Sequence, residues 1–148
     1  MQLSPKGSTM QLMFLNGTAM SGQKDHGAIA GLARLVGAVT TAPHYRFFAI
    51  RDEFPGLFPV DGDGASITGE LYEMSDELLF DVLLPQEPAE LEIGSIELSD
   101  GSTVRAMILQ PDRIRPGDKV LDIADFGGWR AYQAHLSANC AASALLGL

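Results

Sequence analysis

The run Asp122-Ile123-Ala124-Asp125-Phe126-Gly127-Gly128-Trp129-Arg130-Ala131-Tyr132 gathers residue types that recognise anions. Paired glycines let a backbone turn sharply or approach a ligand with no side chain in the way. Trp129, the chain's only tryptophan, and Tyr132 offer large faces with polar tips. Arg130 offers a planar five-donor fork that fits carboxylates. The same letters also describe a helix N-terminus with Trp129 and Tyr132, three apart, sharing a core-facing side, while Arg130 and Tyr132 face differently. Arg130 then either meets a ligand or forms a structural pair with Asp122 or Asp125.

A second candidate is the small-residue loop Asn16-Gly17-Thr18-Ala19-Met20-Ser21-Gly22. Successive N–H groups in a glycine-containing turn make an anion-binding concavity, helped by a following helix N-terminus. Taken alone, such a loop reads more readily as an ordinary connection. His26 follows it and titrates in the range useful for proton transfer at neutral pH, which makes it the candidate proton donor. The competing reading is a surface histidine. Further on, Tyr45 and Arg46 sit in one strand. Their side chains must alternate, so one serves a cavity and the other the outer surface. An arginine buried there would need an anion partner.

These groups need a scaffold. At 148 residues, 46% apolar and 20% charged, the chain fits one globular domain with a sizeable core. A net charge of −9 argues against nucleic acid and anionic membranes as partners and requires any anionic substrate to find a local cluster of donors. The single cysteine, Cys140, has no partner for an internal disulfide, and no signal peptide is apparent, which together predict a cytoplasmic location. No apolar run reaches the roughly 18 residues of a membrane helix. His26, His44 and His135 are scattered, and no motif with metal-ligand spacing occurs, so neither a metal site nor a cofactor is expected.

Along the chain, residues 1–9 read as a flexible start, 10–137 as one domain and 138–148 as an apolar tail. Gln11 to Leu15 reads as a strand. From Gln23 to Leu35 the spacing of Ile29, Leu32, Ala33 and Val36 predicts a helix. Strands follow at Leu35 to Thr40 and Tyr45 to Ile50. Asp52 to Pro59, with two prolines and a glycine, reads as a loop. Ser66 to Glu73 reads as a strand, and Ser75 as the N-cap of a short helix, Asp76 to Leu83, broken by Pro85 and Pro88. Ile93 to Leu98 and Val104 to Leu109 flank Asp100-Gly101 as a hairpin. Pro111 to Lys119 is a polar connection, and a final helix starts near Gly128 and runs towards Ser137. Hairpins with few helices predict an α+β or small-barrel fold.

Several stretches in order resemble the C-terminal domain of allophanate hydrolases, within the γ-glutamyl cyclotransferase-like fold group. They are Met13 to Gly22 with His26, Thr41-Ala42-Pro43-His44-Tyr45-Arg46, Ile67 to Met74, Glu92 to Gly101, and Asp122 to Tyr132. The resemblance covers Met10 to Tyr132. It implies a small mixed β-barrel of about five or six strands with two or three flanking helices. It also implies a ligand cavity at the loop after the first strand, where Asn16-Gly17-Thr18-Ala19 stands in the place of the cyclotransferases' Tyr-Gly-Ser-Leu type loop. Asn16, Gly17, Thr18, Ala19, Met20, Tyr45, Arg46, Trp129 and Arg130 become the expected substrate-binding residues, and His26 and Glu87 the catalytic candidates. The cyclotransferase general acid/base glutamate falls near Pro85-Gln86-Glu87-Pro88, where the prolines depart from that family's pattern. The competing reading of Glu87 is an exposed loop acid.

The resemblance further implies a role on a small dicarboxylate such as N-carboxycarbamate, which loses CO2 in allophanate metabolism. The amidase half is expected to lie elsewhere, since the chain has no room for it. Two alternatives remain: an assembly module, docking on a separately encoded amidase or forming a homodimer through the tail Ala141 to Leu148, and a γ-glutamyl cyclotransferase.

Overall fold

The computed structural model describes residues 9–145, with side chains up to residue 139. Eight strands form one curled mixed sheet: β1 Met10–Leu15, β2 Arg34–Thr40, β3 Tyr45–Ile50, β4 Phe54–Pro59, β5 Thr68–Ser75, β6 Leu91–Glu97, β7 Thr103–Leu109 and β8 Val120–Asp122. Their order is β2-β5-β1-β7-β4-β3-β8, with β6 hydrogen-bonded to β7. The pairs β1–β7 and β4–β7 are parallel, and the remaining ladders are antiparallel. Bonds from Ala42 N–H to Glu97 O (2.9 Å) and Ser99 N–H to Thr40 O (2.9 Å) tie the end of β2 to the end of β6, so the sheet curls into a half-barrel. The architecture is α+β.

Inside the curl sits one main core, built from alternate residues of the central strands, among them Met13, Phe47, Leu57, Met74 and Ala106, all at most 1% exposed. The helix α1, Trp129–Leu145, closes one side with Trp129 and Tyr132 turned into that core. The rest of the tail and the side chains of Ala141 to Leu148 lie outside the described residues. Leu78–Leu83 forms a short, wide helical turn. Ser75 Oγ caps it by accepting from Leu78 N–H at 3.1 Å, the role its position predicts.

Two segments differ from the sequence expectation. Gln23 to Leu35 is not a helix. Only the single turn His26–Ala28 is helical, and the chain then reverses at Gly31 (φ +76°) into β2. Two glycines within it (Gly27 and Gly31) weaken the helix, and Ile29 alone of its apolar stripe is buried while Leu32 is 69% exposed. Asp52 to Pro59 is not a loop either. A tight turn with Arg51 and Asp52 both in the left-handed region (φ 52° and 56°) folds Phe54–Pro59 back onto β3 in six-residue register. Pro55 and Pro59 are tolerated because β4 meets β7 at one pair only, Leu57 with Ile108. After the polar connection Pro111 to Lys119 comes one strand not expected from sequence, the three-residue β8.

Candidate functional site

Where β1 ends, the chain bends through Asn16 to Met20 and forms one wall of a narrow cleft of about 20 Å³. Glu87, Pro88, Leu91 and Met107 line the same cleft, together with Phe54 and Pro55 of β4. Gly17 is required there: a Cβ would stand 2.7 Å from the Pro55 ring. Thr18 and Ala19 are buried. The backbone N–H groups of Gly17, Thr18 and Ala19 have no acceptor among the described residues, whereas Met20 N–H donates to Gly17 O at 3.1 Å. Amides that line a cleft without a protein partner are free to donate to water or to another molecule.

Glu87 follows the short helix Leu78–Leu83 and the turn Leu84–Gln86, whose last bond is from Glu87 N–H to Leu84 O at 3.1 Å. Pro88 then fixes the exit of the chain. The Glu87 carboxyl makes no hydrogen bond to a described residue. Burial, with a smaller push from the negative charge of Asp25, raises it to about 7. A carboxyl balanced near neutrality can both donate and accept a proton at working pH. The cleft opens into a wider mouth of about 300 Å³, shared through Thr18, Phe54 and Pro88, which carries Lys24, Asp25, Arg51, Glu53 and Glu90.

The other expected site residues lie apart from this cleft. His26 Nδ1 stands 3.0 Å from Ala19 O, so the ring donates to the back of the same loop, and it packs 5.9 Å from Tyr72. Tyr45 is buried in the core, where its hydroxyl accepts from Glu97 N–H at 2.8 Å. Arg46, next in the strand, turns to the opposite face and forks onto Asp122 at 2.9 and 3.0 Å, with Asp125 at 3.7 Å. Asp122 and Asp125 are therefore Arg46's partners and not Arg130's. Arg130 instead reaches Ser21 O at 2.6 Å and Glu70 at 3.2 Å. Glu70 is itself held by Ser21 N–H, Ser21 Oγ and the Tyr72 hydroxyl. Burial works to raise the Glu70 carboxyl, but these bonds and Arg130 outweigh it and hold it below the usual carboxylate range. Trp129 is 2% exposed and belongs to the core. Met20, 1% exposed, is also buried and does not line the cleft. Sequence reasoning missed the paired roles of Glu70 and Arg51. Each has one partner two residues away, Glu53 for Arg51 and Tyr72 for Glu70, but the rest lie far along the chain, so the local sequence shows only part of each role.

Among the described residues no cluster of three or more His, Cys, Asp or Glu side chains is placed to hold a metal. No described helix is long and apolar enough to cross a membrane.

Residues 11–134 match the model of the allophanate hydrolase C-terminal domain. The chain belongs to that family. It is 33% identical over 97 residues to the urea amidolyase of Saccharomyces cerevisiae, a stretch that is 62% of this chain and only 5% of that protein. Among solved structures, c4763, a uropathogenic E. coli-specific protein, superposes with a TM-score of 0.77 at 31% identity, covering 86% of this chain and 98% of that one. The Kluyveromyces lactis allophanate hydrolase gives the same TM-score at 27% identity, with 86% of this chain on 22% of that enzyme. At the level of fold alone, an AIG2-like (ggact) protein from Mus musculus matches with a TM-score of 0.55 at 23% identity, over 72% of this chain and 80% of that one. The fold is thus of the γ-glutamyl cyclotransferase-like kind.

Proposed function

We propose that this domain decarboxylates a small N-carboxylated dicarboxylate of the N-carboxycarbamate type, with Glu87 as the proton donor. One observation carries the reading: a carboxyl raised to about 7 faces a loop whose Gly17, Thr18 and Ala19 amides have no protein acceptor. Family membership supports the substrate class, since the matched relatives are a urea amidolyase and an allophanate hydrolase.

The chemistry balances simply. The bond between nitrogen and one carboxylate carbon breaks, CO2 leaves, and the electron pair stays on nitrogen. Glu87 delivers its proton to that nitrogen, leaving carbamate, and is recharged from solvent. Preorganised N–H donors on the retained carboxylate hold the substrate without solvent reorganisation. The narrow cleft takes one carboxylate, and the departing end lies in the wider mouth. That mouth bears three carboxylates (Asp25, Glu53, Glu90) against two cations (Lys24, Arg51). A dianion is therefore accepted best while Glu87 is protonated, which couples binding to the proton that the reaction needs.

The test is loss of N-carboxycarbamate, generated in place from allophanate by an amidase and followed by carbon NMR with and without this protein. Acceleration by the wild type that falls at least about a hundredfold in Glu87→Gln supports the reading. No acceleration by the wild type defeats it. A γ-glutamylamine run in parallel is the control: release of 5-oxoproline there would transfer Glu87 to cyclotransferase chemistry.

A further inference from the structure

All five carbonyl oxygens from Gly17 to Ser21 have a protein donor. Gly17 O accepts from Met20 N–H at 3.1 Å, Thr18 O from Asp25 N–H at 2.8 Å and Met20 O from Gln23 N–H at 3.0 Å. Ala19 O is met by His26 Nδ1 at 3.0 Å, and Ser21 O by Arg130 Nη2 at 2.6 Å. A trans peptide sends the C=O of one residue and the N–H of the next in opposite directions. Fixing the carbonyls of Gly17 and Thr18 therefore also fixes the N–H groups of Thr18 and Ala19, two of the three cleft amides without a described acceptor.

The far end of this loop is pinned by two opposite charges. Ser21 N–H donates to Glu70 Oε1 at 2.7 Å and Ser21 Oγ to Glu70 Oε2 at 2.5 Å, while Ser21 O accepts from Arg130. Arg130 Nη2 also reaches Glu70 Oε2 at 3.2 Å, and its Nη1 lies 3.6 Å from Met20 Sδ. A carboxylate from β5 and a guanidinium from α1 thus converge on one loop residue. Keeping a charge as buried as Glu70, 9% exposed, is costly unless its bonds are all made. Apart from the Tyr72 hydroxyl at 3.0 Å, every hydrogen bond it makes to a described residue goes to Ser21 or Arg130. Neither Glu70 nor Arg130 lines the Glu87 cleft. Their effect on it must pass through Ser21 and Met20.

We infer that Glu70 and Arg130 are positioning residues for the cleft: together they clamp Ser21 and so hold the Thr18 and Ala19 amides in the direction that receives a substrate carboxylate. The inference rests on the proposed function. Met20 is the connecting piece. It is buried, its N–H is the donor that fixes Gly17 O, and its sulfur lies against Arg130. A displaced Ser21 carries Met20 with it and releases the Gly17 carbonyl, and the Thr18 amide turns with that peptide. Glu70 and Arg130 touch no reacting atom, and the Glu87 proton is left in place. Amides that hold the retained carboxylate equally in ground and transition states contribute uniform binding, so releasing the clamp raises KM and leaves kcat nearly intact.

The experiment compares the full chain with Arg130→Gln, Arg130→Lys and Ser21→Ala. The Arg130 side chain is 48% exposed, so its replacement leaves the core untouched, as replacing Glu70 does not. Each protein is 15N-labelled and titrated with malonate, read at the amides of Gly17 to Ala19, and each is run in the decarboxylation assay across substrate supply and pH. Arg130→Gln should weaken malonate at least about tenfold and raise KM in step. Its kcat should stay within about twofold, and its fall in rate through pH of about 7 should not move. Arg130→Lys, which keeps a charge and a donor, should recover part of the loss, and Ser21→Ala should weaken malonate less than Arg130→Gln. A folded Arg130→Gln with the wild-type malonate midpoint and KM overturns the inference and leaves an ordinary ion pair between α1 and β5. A loss confined to kcat with a displaced pH limb also overturns it. If the wild-type loop amides ignore malonate, the clamp positions nothing and the inference falls, whatever the rate. If they bind malonate but decarboxylation is not accelerated, the proposed reaction fails and the clamp stands or falls on the binding of Arg130→Gln.

Discussion

Two regions either side of the mouth use the same residue types to opposite ends. Around Arg51, every charge is spent. Its guanidinium meets Glu90 and Asp118 at 2.9 Å and Glu53 at 3.0 Å, and lies 5.5 Å from the Phe54 ring centroid. The bond to Glu90 leads the causes that raise this already basic group further. At Glu87, across the shared Phe54 and Pro88 edge, hydrogen-bonding capacity is left over on both walls: a carboxyl without a described donor and three amides without a described acceptor. Saturated polar groups lock a fold, and unsaturated ones at a cleft are kept for another molecule. Composition alone does not separate the two regions, since both are carboxylates near glycine and proline. Partner count does.

The largest expected effect breaks the unsaturated side. Glu87→Gln keeps the shape and removes the proton, so turnover should fall at least about a hundredfold. In the wild type, the rate should drop as pH rises through about 7, the value at which Glu87 loses its proton. The same substitution has the opposite sign for stability. The folded value of Glu87 is raised above that of an unfolded glutamate, so its favourable term is complete below pH of about 4 and is lost as pH climbs through about 7. Urea denaturation at pH about 8 should therefore find Glu87→Gln more stable than wild type, with the gap closing in acid. A variant that is inactive and also less stable at alkaline pH would show that the carboxyl is structural.

Next in size is the saturated side. Arg51→Ala strands Glu90, which is 7% exposed, beside Asp118. Loss of one partner from a buried cluster costs about 3–5 kcal/mol; with Arg51 itself part-solvated, about 2 kcal/mol is expected by urea denaturation. If stability is unchanged, the cluster is not a lock and the contrast with Glu87 loses its meaning. A smaller effect should come from Gly17→Ala, which forces a Cβ to 2.7 Å from Pro55. Overpacking of this kind costs about 1–3 kcal/mol. Because it moves the loop amides, KM should rise even where thermal unfolding shows a folded protein.

Most of the strands and the family were readable in the sequence, for physical reasons that can be named. Tyr45 to Ile50 is an aromatic-rich run whose first four residues alternate in burial, and the Asp100-Gly101 turn sets β6 and β7 in register, with Gly101 at φ +88°. Ser75 caps its helix as its position predicts. Other features depend on distant partners. The stripe of Ile29, Leu32 and Val36 satisfies a helical period, yet nothing packs over Leu32 and glycines let the chain turn into β2 instead. Phe54–Pro59 becomes a strand only because two left-handed residues, Arg51 and Asp52, are held there by ion pairs to Glu90, Asp118 and Lys119. For the site, the loop after β1 was legible as a candidate only through the family resemblance, since its residues alone read more readily as an ordinary connection. The partners of Arg46 and Arg130 were not, since a charge pattern gives no information on which of several carboxylates folds within reach.

The smallest effect tests the boundary between the two regions. Asp52 is shared: one oxygen takes Lys119 at 2.6 Å and the other takes the Tyr132 hydroxyl at 2.5 Å. Lys119 first and Tyr132 second hold the Asp52 carboxyl below its ordinary range, and burial followed by that same bond pushes Tyr132 up to about 12. The bond thus anchors α1 to the turn that presents Arg51. Tyr132→Phe removes one hydrogen bond and almost no volume, so about 1 kcal/mol is expected at neutral pH. A depressed carboxylate contributes fully above its unfolded value and loses that contribution as pH falls through its folded one. The deficit of Tyr132→Phe should therefore shrink in acid, and turnover dependent on Glu87 should be unchanged. A large loss of turnover would mean that the saturated and unsaturated regions are mechanically coupled through Asp52, and that the lock on Arg51 also sets the width of the cleft.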